Sequence, residues 1–413
     1  MRKEYLQLAT VSIWGLLAFS FTLSPALISI SFILLSAIGL LQLNLKDFTK
    51  FEAVLSALFV LYFLSSAVSF LYSENTDEAS RKLILKLPIL CFPLVFNALR
   101  KTESKHFPSL VLIGLYAMYL PAVVSVYNYI SNKTLFDQLI LESKPLPIEF
   151  GYGIYHIQFS ILLALSVVLG VFILLHRKAW NLSAFNKTFI GVISLLNFVF
   201  IHILSARTGL LALYVGLLMI LLPALIKMPL RSKIISAVAG LLLPIVILSL
   251  SSSLRNRLSN TAADFEVAWS GKDANDYSFA MRVQAWKNAI QVIKKNPIIG
   301  VGIGDADKEL QENFALMNSS ITAANRKNPH FQFLETATQS GIVSACIFLL
   351  ILLYSLFGKS NKNSLLASIA LLLFLASCFE SILERQASVV AYSAFIALAL
   401  AYGSRENKKD LAL

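Results

Sequence analysis

Long apolar runs separated by short polar loops dominate the chain. A helix that crosses a bilayer needs about 20 apolar residues, and twelve runs approach or reach that length. They lie near residues 6–23, 26–43, 53–72, 83–99, 109–130, 156–175, 188–204, 208–226, 232–250, 341–357, 364–379 and 387–403. The pattern predicts an all-α polytopic membrane protein with about twelve transmembrane helices.

One interval, residues 251–340, is long and polar and breaks this pattern. A water-exposed excursion of this size between membrane spans is uncommon, and it is the first place to look for chemistry. We therefore divide the chain into three parts. Residues 1–250 carry helices 1 to 9, residues 251–340 form the large loop between helices 9 and 10, and residues 341–413 carry helices 10 to 12 and a short tail.

The large loop is predicted to be partly helical. Apolar residues recur in it at spacings of four and three, which indicates a helix with one apolar face; they are Phe279, Val283, Trp286, Ile290 and Ile293. Asp276 or Ser278 is expected to cap the start of this helix, and Pro297 to end it. Lysines lie off the apolar stripe, so we expect the helix to lie along the membrane surface. The segment "GVGIGD" follows no predicted strand and is interpreted as a turn.

Composition agrees with a membrane protein. Hydrophobic residues make up 57% of the chain and charged residues 14%, with a mean hydropathy of +0.71, whereas soluble domains carry about 25% charged residues. The net charge of +12 is spread over short loops, which is typical of membrane topology and not of a nucleic-acid partner. All three cysteines lie in apolar runs, so neither a disulfide framework nor a thiolate metal site is expected.

The distribution of Lys and Arg predicts the orientation of the chain. Cytoplasmic loops retain these residues; one set of alternate loops holds eighteen of them and the opposite short loops hold seven. Both termini are therefore expected in the cytoplasm, and the loop 251–340 on the outer side. The first apolar run follows Arg2 and Lys3 without a convincing cleavage site, and we interpret it as an uncleaved span.

Two arginines on the outer side are candidates for an anion site. Arg207 follows Ser205, a potential N-cap, so free backbone N–H groups and a guanidinium would meet at the start of helix 8, as in a phosphate site. Arg282 lies on the flank of the predicted loop helix. A diphosphate needs more than one cation, and Arg binds it bidentately. The plain alternatives are that Arg207 reaches the lipid headgroups and that Arg282 is a surface charge.

His330 is the candidate general base. Asn328 and Pro329 have the character of an N-cap and a first helical residue, which would place His330 in the first turn of a helix. There the helix dipole disfavours the imidazolium, so a neutral ring would be ready to accept a proton from a hydroxyl group. The plain alternative is a histidine that only bonds a neighbouring carbonyl.

Weaker candidates lie on the same side of the membrane. His156, near the outer end of helix 6, is a rival base. Glu335, Glu380 and Glu384 could orient sugars or pair with arginines, although surface pairing is the simpler expectation for all three. These residues extend the candidate substrate site without defining it.

A basic cluster, Arg81, Lys82 and Lys86, lies on the outer side, against the usual charge rule. This placement suggests an anionic lipid as a partner, with the cluster helping to bind a lipid diphosphate. No pattern in the sequence calls for a metal ion or a cofactor. A transporter is the alternative from another class, but transporters favour ionisable residues at mid-membrane, and the centres of these runs are nearly free of charge.

Four segments together resemble the O-antigen ligase and O-antigen polymerase superfamily. They are "YSENTDEASRKLILKLP" between the third and fourth runs, "SARTG" before the eighth, "RVQAWKNAIQVIKKNPIIGVGIGD" in the large loop, and "NPHFQFLETATQSGIVS" leading into the tenth. Their order and their placement between about twelve spans carry the resemblance. The sequence departs from the family where the common "HN" or "HS" pair is "HF" here.

The resemblance implies a metal-independent, inverting glycosyl transfer at the periplasmic face of the bacterial inner membrane. The donor would be a glycan on undecaprenyl diphosphate and the acceptor a sugar hydroxyl, on lipid A core for a ligase or on a growing glycan for a polymerase; protein Ser or Thr is a further possible acceptor. Arg207 and Arg282 match the family's diphosphate-handling arginines, and His330 matches its base. No cofactor is implied.

Overall fold

The computed structural model describes residues 2–141, 156–176, 180, 182–204, 206–233, 252–270, 273–275, 277–317, 321–358 and 364–410. Helices dominate these ranges. They are α1 (Arg2–Leu23), α2 (Pro25–Leu41), α3 (Lys50–Phe70), α4 (Thr76–Leu90), α5 (Phe92–Lys101), α6 (Phe107–Ala117), α7 (Tyr119–Ser131), α8 (Lys133–Leu141), α9 (His156–Leu175), α10 (Ala184–Leu204), α11 (Arg207–Lys227), α12 (Ser252–Ser270), α13 (Ser278–Lys295), α14 (Ala306–Leu316), α15 (Gln332–Phe357), α16 (Ser364–Phe379) and α17 (Gln386–Asp410). Short 3-10 turns cover Leu45–Asp47, Ala323–Asn325 and Ile382–Glu384.

The polytopic all-α architecture is confirmed. Among the described residues, nine helical stretches are long and apolar enough to cross a membrane, and Pro25–Leu41 and Ser364–Phe379 are shorter apolar helices. Eleven of the twelve predicted runs coincide with these elements, whereas 232–250 lies almost entirely outside the described residues. Two runs divide in the middle, between α4 and α5 at Cys91 and between α6 and α7 at Met118.

The helices pack around one apolar core. Within it α9 lies against α10, α11 and α16, and α15 lies against α3 and α16. Aromatic rings join these layers: Phe59 of α3 stacks on Phe92 of α5 with ring centroids 3.7 Å apart, and Tyr62 meets Phe348 of α15 at 5.5 Å. A closely packed apolar core of this kind can hold the polar segments at its edge in fixed positions.

The large loop contains three helices, α12, α13 and α14, and α13 differs in detail from its prediction. Val283 and Ile293 are buried as expected, but Ile290 is exposed. The buried face is wider than a stripe because α13 contacts α12, α14 and α15. Tyr277 occupies the N-cap position and no side chain caps the helix, so the proposed Ser278 cap is wrong; Asp276 lies outside the described residues.

The transition from the loop to the tenth predicted span also differs. The helix α15 begins at Gln332, three residues after the predicted first helical residue Pro329 and nine before the apolar run predicted from 341, and it is kinked at Gly341, where φ is 83° and ψ 169°. The predicted turn 300–305 docks on this kink, since the N–H groups of Val301 and Gly302 donate to the carbonyls of Thr338 and Gln339. Positive φ angles at Gly300 and Gly302 make the turn possible.

We expect Gly341→Ala to destabilise the protein. A β-carbon at this position would lie 1.8 Å from the carbonyl oxygen of Ile298, and the positive φ is itself unfavourable for alanine. The free energy of unfolding should fall by on the order of 3 kcal/mol, which a thermal melt of the purified protein in detergent would detect. The control is Gly191→Ala in α10, where an added β-carbon meets nothing within 4 Å; equal melting temperatures for both variants would contradict the expectation.

Candidate active site

Arg207 begins α11, as predicted, and its side chain is 38% exposed. Ser205, the expected cap, lies outside the described residues, and Ala206 holds the N-cap position. The guanidinium Nη1 of Arg207 donates to Oδ2 of Asp264 on α12 at 3.1 Å. Because Asp264 is buried and Arg207 is partly exposed, the aspartate holds the arginine in place while part of its guanidinium faces outward.

Arg282 of α13 is held at the C-terminal end of α16. Its Nη1 donates to the carbonyl oxygen of Phe379 at 2.6 Å, and its Nη2 lies 3.6 Å from Oε2 of Glu380. A cation is favourable at a helix C-terminus because the last carbonyls are unpaired and the dipole is negative there. The side chain of Arg282 is 17% exposed, so Arg282 is a largely covered structural contact as well as a charge, and the alternative that it is a surface charge is wrong.

The two arginines lie close enough to influence each other. Burial lowers the pKa of Arg282, the carboxylate of Glu380 opposes this shift, and the positive charge of Arg207 adds to it. The carboxylate of Asp264, like that of Glu380, acts to raise the pKa of Arg282. An arginine keeps its charge in proteins, so the structure brings two guanidiniums and two carboxylates into one electrostatic cluster.

His330 belongs to this cluster, but its local structure differs from the prediction. It precedes α15 by two residues and is not in the helix; Phe331 holds the N-cap position. Asn328 does not cap the helix either, because its Nδ2 donates to Oδ1 of Asp307 at 2.9 Å. The argument that a helix dipole keeps the imidazole neutral therefore does not apply.

The backbone of His330 is in the left-handed region, with φ at 48°. This conformation costs energy in a non-glycine residue and persists only where surrounding contacts impose it. Trp286 of α13 supplies two such contacts: its indole N–H donates to the carbonyl of Pro329 at 2.8 Å, and its ring meets that of Phe331 with centroids 5.7 Å apart. These contacts fix the positions of Pro329 and Phe331, the residues on either side of His330, and so fix the direction of its side chain.

Glu380 is the partner of the imidazole. Its Oε1 lies 3.0 Å from Nδ1 of His330, and the carboxyl group is buried. Burial alone would raise the pKa of Glu380, but the hydrogen bond and charge of His330, together with the charges of Arg282 and Arg385, outweigh it and hold the pKa below its usual value. The group is therefore a carboxylate at neutral pH.

This arrangement can produce a general base. An ionised Glu380 accepts a hydrogen bond from Nδ1–H of His330, which leaves the lone pair on Nε2. The side chain of His330 is 29% exposed, as access by an acceptor hydroxyl requires. The carboxylate would also stabilise the imidazolium that forms when Nε2 takes a proton.

Two weaker candidates, His156 and Glu335, lie at the starts of α9 and α15. His156 is the first residue of α9. Glu335 is fully buried in α15, where it accepts hydrogen bonds from Gln339 and Ser381 at 3.1 and 3.4 Å. The expected surface pairing of Glu335 with an arginine is therefore wrong, because burial leaves it in a network of neutral donors.

The basic cluster 81–86 is not an open anion site. Arg81 is exposed and pairs with Glu78, Lys82 lies 2.8 Å from Asp307, and Lys86 lies 3.3 Å from Glu384. Lys82 and Lys86 are 7% and 1% exposed. A lipid diphosphate on the outside could therefore contact Arg81 but not the ammonium group of Lys86. The structure does not support the predicted lipid-binding role of Lys82 and Lys86.

Glu380 and Asp264 complete the cluster, and sequence reasoning missed their importance. Glu380 was expected to pair at the surface, although its position between the apolar runs 364–379 and 387–403 was a usable signal. Asp264 has no comparable signal because nothing in its neighbours indicates burial. Within the described residues, no three His, Cys, Asp or Glu side chains come together in a way that could hold a metal ion.

Comparison with protein families matches residues 192–349 to the family described as O-antigen ligase. Over these residues the chain is similar to O-antigen ligases. The match extends from α10 into α15 and includes Arg207, Arg282 and His330, and it confirms the resemblance to the O-antigen ligase and polymerase superfamily of membrane glycosyltransferases. Glu380 and the basic cluster lie outside the matched residues.

A relative supports the extent of the similarity. A Haemophilus influenzae protein described as uncharacterized is 26% identical over 337 residues, which are 79% of this chain and 78% of the relative. The similarity thus reaches well beyond the ligase domain and into the helices that surround it.

Proposed function

We propose that this O-antigen ligase domain protein transfers a glycan from undecaprenyl diphosphate to a sugar hydroxyl of lipid A core, at the periplasmic face of the bacterial inner membrane. Nε2 of His330 takes the proton of the acceptor hydroxyl. The oxygen attacks the anomeric carbon, and the bond from that carbon to the diphosphate breaks with its electron pair. Undecaprenyl diphosphate leaves, and the configuration at the anomeric carbon is inverted.

The observation that carries this proposal is the connection from His330 through Glu380 to Arg282. The carboxylate of Glu380 orients His330 with Oε1 and lies beside Arg282, the proposed diphosphate-binding cation, with Oε2. One side chain would therefore position both the base and the cation that binds the leaving group. The guanidiniums of Arg282 and Arg207 would stabilise the charge that grows on the leaving diphosphate. This use of fixed charges requires no metal ion.

The test is transfer by the purified protein. The protein in detergent receives undecaprenyl-diphosphate-linked glycan together with core lipid, and mass spectrometry identifies the products. The proposal expects glycan-capped core lipid and free undecaprenyl diphosphate. Chains that only lengthen on the lipid carrier, with no capped core, would identify a polymerase instead and overturn the ligase proposal.

The same reaction tests metal independence. We expect transfer to continue at an unchanged rate after dialysis against EDTA, because the arginines supply the positive charge that a divalent ion supplies in other transferases. The measurement is the initial rate before chelation, after chelation, and after Mg²⁺ or Mn²⁺ is restored. A rate that falls more than about tenfold with EDTA and recovers with the ion would contradict the scheme.

A further inference from the structure

Lys82 and Lys86 lie one turn apart on α4 and point into the protein. Charged side chains are rarely buried unless they are paired, and a buried pair that loses one partner leaves the other charge uncompensated. Both lysines are paired with residues far along the chain. The partner of Lys82 contacts the segment that carries His330, and the partner of Lys86 lies in the segment that carries Glu380.

Lys82 leads to the segment of His330. Its Nζ lies 2.8 Å from Oδ2 of Asp307 on α14, and Oδ1 of the same carboxylate accepts a hydrogen bond from Nδ2 of Asn328 at 2.9 Å. Asn328 is two residues before His330. The chain of contacts thus fixes the N-terminal side of the strained histidine, while Trp286 fixes its immediate neighbours.

Lys86 leads to the segment of Glu380. Its Nζ lies 3.3 Å from Oε1 of Glu384 and 2.7 Å from Oε1 of Gln339. Glu384 ends the short turn Ile382–Glu384, which begins two residues after Glu380. Burial alone would raise the pKa of Glu384, but the charges of Lys86 and Lys82 and the hydrogen bonds of Gln339 and Gln332 hold it below its usual value.

A further contact ties the turn to α15. The side-chain oxygen of Gln332 accepts a hydrogen bond from the backbone N–H of Leu383 at 2.7 Å, and Nε2 of Gln339 donates to Glu384 at 3.0 Å. The turn after Glu380 is therefore held from two sides, by α15 and by Lys86 of α4. A shift of this turn would move Glu380 away from His330.

We propose that Lys82 and Lys86 are positioning residues that set the distance between His330 and Glu380. This inference rests on the proposed function, in which that pair forms the base. The helix α4 holds the histidine segment with Lys82 and the glutamate segment with Lys86, so one helix brings together two segments that are 50 residues apart. Neither lysine contacts the substrate, and each acts through its carboxylate partner.

The test uses Lys82→Met and Lys86→Met in the transfer reaction, with kcat and KM for the lipid-linked donor measured separately. We expect kcat to fall about 10- to 100-fold, as for other residues that orient a catalytic group, with KM changed less than about threefold. Lys82→Arg should keep most of the activity because it retains the pair with Asp307. The exposed pair of Lys133 with Asp137 supplies a control, and Lys133→Met should match the wild type.

Paired substitutions separate positioning from loss of folding. Lys86→Met leaves the largely covered charge of Glu384 without its closest cation, whereas Lys86→Met with Glu384→Gln removes both charges and keeps hydrogen-bonding atoms for Gln339. We expect the double variant to recover most of the melting temperature and part of kcat. Specific activity per folded molecule that stays at the wild-type level in Lys82→Met and Lys86→Met would overturn the proposal.

Two other outcomes are equally informative. A large rise in the KM for the donor with unchanged kcat would mean that the lysines bind the anionic lipid, and this would overturn positioning while leaving the proposed reaction intact. Failure of the proposed function has a different signature, since the wild-type protein itself would then form no capped core lipid. Loss of activity in His330→Asn with full activity in the lysine variants would overturn positioning alone.

Discussion

His330→Ala is expected to lower kcat for glycan transfer by about 10²–10⁴-fold, the range that a positioned general base contributes. The variant removes the proposed acceptor of the hydroxyl proton, and the rest of the cluster is poorly suited to replace it, because the carboxylates of Glu380 and Asp264 are buried and the arginines are already protonated. Binding of the lipid-linked donor should change little, since the guanidiniums stay in place. The measurement is the initial rate of capped-core formation with saturating donor.

The strained backbone of His330 calls for a second variant. Alanine disfavours the positive φ at this position, whereas asparagine tolerates it and has no basic nitrogen. His330→Asn should therefore fold as the wild type does and still lose the same activity. His176→Ala is the matched control, since His176 follows α9 and the contacts recorded for its ring are with Phe172, to the carbonyl oxygen and to the aromatic ring. Wild-type rates in both His330 variants would remove this residue from the mechanism.

The sequence predicts the helical architecture well because membrane spans are encoded locally. A run of about 20 apolar residues is sufficient evidence for a helix in a bilayer, since every backbone group must be paired inside the segment. The runs at 53–72 and 156–175 coincide with α3 and α9 within a few residues. The helix start predicted at Pro329 lies three residues from the observed start at Gln332. The apolar run predicted from 341 leaves out about two turns, from Gln332 to Gln339, because this segment carries polar residues that are buried by contacts with distant segments.

The candidate site was predicted in part. Arg207, Arg282 and His330 were selected from their types and their placement, and the structure places Arg282 and His330 on one carboxylate. The local environment of His330 was predicted wrongly, because Asn328 has a better partner in Asp307 than the helix terminus offers. A capping signal is a local preference, and a tertiary hydrogen bond between distant residues can override it.

The lysines of α4 show the same limit. Counted along the chain, Lys82 and Lys86 are basic residues of an outer loop, and exposure is the reasonable expectation. Their acidic partners lie far away in sequence, Asp307 by 225 residues. Periodicity and composition carry no information on such pairings, so the change from a lipid-binding cluster to a buried network required the structure.

Glu380→Gln is expected to lower kcat by about 10²–10⁴-fold while the imidazole stays in place. Glutamine can accept a hydrogen bond from Nδ1–H, but it can also donate its amide to Nδ1 and favour the tautomer with the proton on Nε2, where no base remains. It also provides no charge to stabilise the imidazolium. Glu380→Asp keeps the charge on a shorter side chain and should retain more activity than the glutamine variant.

The pH dependence of stability provides an independent measure of the same carboxylate. The pKa of Glu380 is lowered in the folded protein, so its contribution to stability is present above the pKa of an unfolded glutamate and is lost as the pH falls through the lower folded value. The difference in melting temperature between the wild type and Glu380→Gln should therefore be largest near neutral pH and shrink in acid. Glu309→Gln, at the partly exposed pair with Lys295, is the control and should show almost no difference at any pH. A constant difference across the pH range would mean that Glu380 is not the ionised partner of His330 and Arg282, and the base assigned to His330 would then lack its support.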